Sequence, residues 1–321
     1  MFNNIHTSFR EKPWNGIGDM LEDNLSALEA RTKYLTWSAS KIPLSAELPS
    51  NNGTVIYKRI PEKYAIMRED NQDILGICAS KYHVYQNSDM WDVITTYMDK
   101  SGMRIETVGS LKGGKYTWVL LKGDIFEVVK NDPIETFLLF RNAFTGIVPV
   151  HVLFTNVRVL SSSIVSIDLS PIKCMYNVRH VGNVISRVAE VERMMQAHDG
   201  YQHRFKEILQ VLFVKKMSIA DMVSVLEKYI FPYEGEVIKN GQIARTIRNK
   251  KIAQIMESVD SLDVDIRESA YGLFMAILEW VDHNKITKDS IHEINALRFE
   301  NAMYTSIDFK TKVMDTLLNI F

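Results

Sequence analysis

The sequence predicts an α+β fold: an N-terminal antiparallel sheet with a β-hairpin and one packed helix, followed by an all-helical C-terminal region. Three observations predict it. Short apolar runs between residues 55 and 169 are separated by turn-forming residues at strand spacing. A single helical stretch interrupts them, which is not the strict strand–helix alternation of a parallel sheet. From His180 onward the apolar spacing becomes three and four, the helical period.

Each element follows in order. Residues 1–54 read as a lead-in with a short helix, LEDNLSALEARTKYL, and a loop at Ser45–Thr54 (SAELPSNNGT) rich in turn formers. Residues 55–179 read as the sheet domain. KYAIMRED and DILGICAS are strands around a polar turn at Glu69–Gln72. Ser88 then caps a helix, DMWDVITTYMDKSG, that stops at Gly102. Glu106–Lys122 (ETVGSLKGGKYTWVLLK) reads as a hairpin with a two-residue Gly113-Gly114 turn. ETFLLFRNAF and PVHVLFTNVRVL are the next strands. In the second, Val150, Val152 and Phe154 alternate with His151, Leu153 and Thr155, so one face is buried and the other partly so.

Residues 180–321 read as the helical region. Val184, Val188, Val191, Met195, His198, Gln202, Phe205, Leu209 and Leu212 form an unbroken heptad seam, polar at its middle beside Gly200. Such a seam serves either packing within the chain or self-association, with His198 and Gln202 setting register. Helices over 218–230, 242–259, 265–284 and 307–320 follow. In the third of these, Ala276, Ile277, Trp280 and Val281 mark a buried face.

Bulk properties exclude several classes. The 321 residues are 46% hydrophobic and 24% charged, ordinary for a globular chain. The formal net charge of −1 provides no global field to recruit a polyanion, so any such site is a local patch. Cys78 and Cys174 are too few for a disulfide framework and lack metal-ligand spacing. The eight histidines show no H-E-x-x-H or paired Cys/His pattern, so neither a metal nor another cofactor is expected. The N-terminus has no apolar signal region and no run reaches the ~20 residues of a membrane helix. Both point to the cytoplasm, away from membranes. Charge is uneven. Val237–Met256 holds Lys239, Arg245, Arg248, Lys250 and Lys251 without an acid, whereas Glu257–Phe309 holds eleven acids and four bases. Either a binding face or mutual neutralisation of the two segments produces this asymmetry.

No catalytic constellation is present. GSLKGGK (Gly109–Lys115) satisfies G-x-x-x-x-G-K, but Tyr116 stands where a phosphate loop needs Ser or Thr, and the residues after it have strand periodicity. Lys112 and Lys115 are then either a solvated hairpin tip or phosphate contacts. In KYHVYQN (Lys81–Asn87), Tyr82, Tyr85 and nearby Trp91 suit base stacking, with Gln86 and Asn87 as hydrogen-bonding groups. The same residues also suit a strand end running into a helix cap. Arg68, Arg104, Arg141, Arg158 and Arg179 fall on or near strands, where a shared face makes a polyanion groove. The run Ser161–Ser163 lacks a nucleophile elbow, and Asp282-His283 reads as a solvated helix end.

Taken in order, PWNGIG (13–18), ALEARTKYLTWSASKIPL (27–44), AIMREDNQDILGICASKYHVYQN (65–87), ETVGSLKGGKYTWVLL (106–121), FTNVRVL (154–160), NVRHVGNVISRVAE (177–190) and SAYGLFMAILEWVDH (269–283) resemble the uncharacterised phage/plasmid-like protein family. One departure stands out: where that family typically shows Cys-x-Asn-Thr-Leu, this chain has Leu160-Ser161-Ser162-Ser163-Ile164. The resemblance implies a mobile-element origin. By analogy with proteins such elements carry, it implies a non-enzymatic protein that oligomerises and binds or anneals single-stranded nucleic acid, DNA above all, in recombination or replication. The expected phosphate contacts are Lys112, Lys115, Arg141, Arg158, Arg245, Arg248, Lys250 and Lys251, with Tyr82 and Tyr85 stacking on bases and the heptad seam aiding assembly. The alternatives are an interaction protein acting on a host or defence component, and a nucleotide-binding enzyme using the 109–115 loop.

Overall fold

The computed structural model describes residues 17–21, 25–49, 54–178, 187–232, 241–284 and 297–320. The main sheet is antiparallel, in the order β1 (Gly18–Met20), β5 (Arg104–Leu111), β6 (Tyr116–Glu127), β7 (Pro133–Ala143), β8 (Val150–Arg158) and β10 (Met175–Val178), with β9 (Ser163–Val165) also pairing with β8. A smaller sheet runs β2 (Ala39–Leu48), β3 (Ile56–Arg68), β4 (Ile74–Ala79). The helices are α1 (Ala27–Lys33), α2 (Asn87–Ser101), α3 (Arg187–Val214), α4 (Ile219–Val225), α5 (Gly241–Asp260), α6 (Val264–Arg267), α7 (Ala270–Glu279) and α8 (Ile307–Asn319). The α+β expectation and the helical C-terminal region are both observed.

Helices cover both faces of the main sheet, which is why β7 and β8 are buried almost throughout, their polar residues included. Directly paired residues share a face. On one face Phe140 meets Tyr97 of α2 at 5.9 Å between ring centroids, and Phe154 meets Tyr201 of α3 at 5.7 Å. On the other, Trp118 meets Phe299 at 5.0 Å and His151 meets Tyr304 at 5.7 Å. Burying each of these large side chains stabilises the fold by about 1.5–3 kcal/mol.

The heptad seam is spent inside the chain. Phe205, Leu209 and Leu212 are buried. His198 Nδ1 lies 3.1 Å from the Tyr97 hydroxyl, and its ring packs on Phe154 at 5.4 Å. The polar middle of the seam therefore docks α3 on α2 and β8, and these seam residues are not open for self-association. Val184 lies outside the described residues, as do the side chain of Val191 and that of Val188.

Two local readings are corrected. The stretch Ser45–Leu48, taken as loop, continues β2 by pairing with Ile56–Arg59. Strands β1 and β2 thus carry part of the lead-in into the two sheets. The helix cap is Gln86, not Ser88: Gln86 N donates to Asp89 Oδ2 at 2.9 Å, one turn on. The Gln86 amide also brackets Ala39, accepting from its N–H at 3.0 Å and donating to its carbonyl at 2.8 Å. Gly102 closes α2 in the left-handed conformation at φ 71°. Beyond Tyr64 the β2–β3 ribbon leaves the body of the protein, and Ile56 to Lys63 are exposed at every position.

Candidate nucleic-acid interface

The tip of the β5–β6 hairpin is longer than a two-residue turn. Leu111 pairs with Tyr116, leaving Lys112 to Lys115 as the loop. Three consecutive residues there take positive φ: Lys112 at 53°, Gly113 at 70° and Gly114 at 96°. Glycine serves the last position twice over, because a Cβ there would also lie 3.1 Å from Arg68 Nη1 and from the Trp37 ring. Lys112 and Lys115 are exposed. A strand, not a helix, follows the tip, so the helix N-terminus that a phosphate loop requires is not there.

Beneath the tip, one cross-strand row runs Gly18, Gly109, Trp118, Arg141, His151, Asn177. The Trp118 indole lies flat across the two glycines; a Cβ on Gly18 or Gly109 would sit 2.6 Å from its ring. Arg141 is only 6% exposed. Its guanidinium carbon is 4.2 Å from the Tyr116 centroid and 4.3 Å from that of Tyr304, and Nη2 donates to Glu300 Oε1 at 2.7 Å. Lys112 Nζ is 5.3 Å from the same Tyr116 centroid. Two of the expected phosphate contacts, Lys112 and Arg141, therefore converge on one ring. Burial first and Arg141 second push the His151 imidazole down to about 4, so it is neutral near pH 7. Burial also raises the Tyr304 phenol above its ordinary range, against the pull of the Arg141 guanidinium.

The other expected contacts fare unequally. Arg158 is 3% exposed, and its Nε donates to Asp132 Oδ1 at 2.7 Å. Asp132 Oδ2 accepts from the Tyr271 hydroxyl at 2.7 Å, which completes a buried tie between β8 and α7. Arg158 is thus a structural residue. A phosphate cannot reach it without leaving Asp132 buried and unpaired. Tyr85 is buried, its hydroxyl donating to the Asp89 carbonyl at 3.3 Å, and Tyr82 is half-buried, donating to the Ala143 carbonyl at 3.2 Å. Neither ring is a free stacking platform. Trp91 is likewise buried, with Nε1 donating to the Tyr34 carbonyl at 3.1 Å, and Asn87 is buried between the Trp37 carbonyl and Thr117. On α5, Arg245 and Lys250 are exposed, Arg248 pairs with Glu227 at 3.2 Å, and Lys251 stands over Phe231 and Trp280 at 5.6 and 5.9 Å. Arg68 chelates Asp70 and stacks on Trp37 at 4.3 Å. Lys239 and Arg179 lie outside the described residues.

Asp282 and His283 are not a solvated helix end. Asp282 and Lys310 of α8 are both fully buried and pair at 2.7 Å. Asp282 Oδ2 accepts from Ile164 N at 2.8 Å, Lys310 Nζ donates to the Ile164 carbonyl at 2.7 Å, and His283 Nε2 donates to the Ser161 carbonyl at 3.0 Å. The Leu160–Ile164 segment, where the chain departs from the pattern it resembles, is clamped there. Burial raises the Asp282 carboxyl above its usual range, opposed chiefly by the Lys310 ammonium.

Sequence reasoning missed Tyr116, Trp118, His151 and Tyr304 as site residues. The parity of Trp118 with Arg141 was readable once β6 and β7 were aligned; nothing local announced Tyr304. Among the described residues no group of His, Cys, Asp and Glu could hold a metal ion, and no helix is long and apolar enough to cross a membrane.

A family model described as "Domain of unknown function (DUF932)" matches residues 74–303. No curated protein and no solved structure matches the chain. The matched segment begins at β4 and takes in Trp118, Arg141, His151 and Asp282; β2, β3, Tyr304 and Lys310 lie outside it.

Proposed function

The chain belongs to the family of domains of unknown function DUF932, and from that premise we propose that it is a mobile-element protein that binds single-stranded nucleic acid, DNA above all, without catalysing a reaction. The observation that carries the reading is the pair of exposed lysines, Lys112 and Lys115, at the turn of the hairpin, with Lys112 Nζ 5.3 Å from the Tyr116 ring; Arg141, on that same ring, is buried and already paired with Glu300. Cation and aromatic face in one place suit a strand, whose phosphates need charge and whose bases need a π surface. Arg245 and Lys250 on α5 add a second group of exposed cations. With a net charge of −1, affinity comes from these local groups alone. Self-assembly, part of the same reading, uses a surface other than the buried residues of the α3 seam.

The test is fluorescence anisotropy of a labelled 20-mer single strand against salt. Binding with a log–log slope of about −0.7 for each phosphate neutralised is expected. Lys112→Ala with Lys115→Ala lowers both affinity and slope. No binding at low salt removes the reading; an unchanged slope in the double variant removes the tip from it.

A second reading, an interaction protein, is favoured by the exposed Leu48, Ile56, Tyr57 and Ile60 on the β2–β3 ribbon. It calls for a co-purifying protein and a preparation whose absorbance ratio at 260 and 280 nm shows no nucleic acid.

A further inference from the structure

The β2–β3 ribbon exposes what the body of the protein keeps covered. Tyr85 and Trp91 are buried, and Arg141 and Arg158 are each paired with an acid. On the ribbon, Tyr57 is 67% exposed, more than any other Tyr, Trp or Phe among the described residues. No side-chain hydrogen bond, ion pair or ring contact with another described residue engages Tyr57 or Lys58. Arg59 keeps one partner, its Nη2 donating to the Tyr64 hydroxyl at 3.3 Å on the exposed surface. Ile56 to Lys63 are exposed throughout, so a ligand reaches these side chains without displacing any packing.

Pairing fixes which of them share a face. Glu47 lies opposite Tyr57 and Ser45 opposite Arg59, while Leu48 lies opposite Ile56 and Ala46 opposite Lys58. Tyr57 and Arg59 therefore stand on one face, about 7 Å apart along the strand. Lys58 stands on the other, beside Ile56. The ribbon carries Lys58, Arg59 and Lys63 against Glu47 and Glu62, an excess of cation on a chain of net charge −1. Glu62 is held at the foot of the ribbon by the Ser80 hydroxyl. An apolar protein surface that covered Leu48 and Ile56 would bury the Lys58 ammonium with no acid on its own face, at a cost. A base has a π face for Tyr57, and its phosphates match the cations on either side. Strand β3 also joins the ribbon to the lysine tip. Its far end lies against the hairpin, since a Cβ on Gly114 would be 3.1 Å from Arg68 Nη1. From Arg68 to Tyr57 the strand covers at most roughly 36 Å at ~3.3 Å per residue. A stacked nucleic-acid strand covers that in about 11 nucleotides.

We infer that the ribbon is a second strand-binding element, on which Tyr57 stacks on a base and Arg59 contacts a neighbouring phosphate of the same single strand that the lysine tip holds. Lys58 adds charge from the opposite face. The inference rests on the strand-binding reading above and extends that site along β3. Glu47 opposes it, as the acid on the Tyr57 face, and so becomes a test of it.

The probe is a labelled thymidine 20-mer, bound by the full-length protein and followed by anisotropy against salt. Tyr57→Ala is expected to weaken binding by about fivefold or more, the loss of one stacked base, and Tyr57→Phe to restore it. Arg59→Ala is expected to lower the log–log salt slope by about 0.7. Glu47→Gln is expected to tighten binding. All four positions are exposed, so the urea midpoint stays at the wild-type value and a change in affinity is not a change in folding. If Tyr57→Ala binds as wild type while Lys112→Ala with Lys115→Ala weakens the complex, the ribbon is overturned and strand binding at the tip stands. If Tyr57→Ala instead loses a co-purifying protein and keeps its strand affinity, the ribbon is a protein-docking surface and the inference is likewise overturned. A wild-type protein that binds no strand at low salt ends both the ribbon site and the reading it rests on.

Discussion

Replacing Lys310 by methionine isolates the buried clamp. Both partners are fully buried and pair at 2.7 Å, and the Asp282 carboxylate has one further donor, Ile164 N at 2.8 Å. Methionine keeps the apolar stem and removes the ammonium, leaving Asp282 with two choices. It stays charged in a dry site, or it takes a proton. At pH 7, protonating a carboxyl of ordinary pKa, about 3.9, costs about 4 kcal/mol, roughly 1.4 kcal/mol for each of three units. That caps the electrostatic loss. Losing the Lys310 bond to the Ile164 carbonyl adds about 1 kcal/mol. A loss of about 3–5 kcal/mol is expected, as when one partner of a buried pair is removed.

The sign of the pH effect follows. In the variant the native Asp282 pKa is raised far above the unfolded value, so the native state holds the extra proton and its stability increases as pH falls. The gap to wild type therefore narrows by about 1.4 kcal/mol per unit between pH 7 and pH 5. Adding Asp282→Asn to Lys310→Met removes the orphaned charge and returns stability to within about 2 kcal/mol of wild type. Urea unfolding at pH 5, 6 and 7 measures all three proteins. A single variant within 1 kcal/mol of wild type at pH 7, or a gap that does not change with pH, refutes the buried-pair reasoning; both thresholds are roughly the noise of such extrapolations.

Three further outcomes are expected. Arg158→Met strands Asp132 with only the Tyr271 hydroxyl and costs about 3–5 kcal/mol in urea unfolding, while strand affinity measured well below the melting point stays at the wild-type value. Gly109→Ala drives a methyl to 2.6 Å from the Trp118 ring and costs about 1–3 kcal/mol, seen as a lower thermal midpoint and altered tryptophan fluorescence. His151, held at about 4 in the folded chain against about 6.5 unfolded, lets the unfolded state bind more protons between those values, so stability falls as pH drops through that window. For a side chain that is only half-buried this amounts to about 1–2 kcal/mol, and His151→Gln flattens that part of the stability–pH curve.

Periodicity revealed the elements more readily than their partners. The 106–122 hairpin and the α3 seam are legible because neighbouring residues define them. What the seam packs against is not, since Tyr97 and Phe154 are brought to His198 by the fold. Ser45–Leu48 has the composition of a turn, and pairing with Ile56–Arg59 overrides it. The cations show the same limit more sharply. An arginine on a strand reads alike whether it meets solvent or a buried acid. Arg158 finds Asp132 and Tyr271 across long separations, while Lys112 stays exposed beside the ring of Tyr116, four residues on. Asp282-His283 looked like a helix end because its partners, Lys310 and the 161–164 segment, are remote in sequence.

The ribbon that continues β2 and β3 beyond Tyr64 has water on both sides. Backbone hydrogen bonds close it, but no apolar layer anchors it, and two strands alone are barely stable. It can therefore unzip without disturbing the rest of the molecule. In deuterated solvent the amides of Tyr57 to Arg59 should exchange on a far shorter clock than those of Leu138 or Val152, making this finger a separately melting unit on a rigid palm.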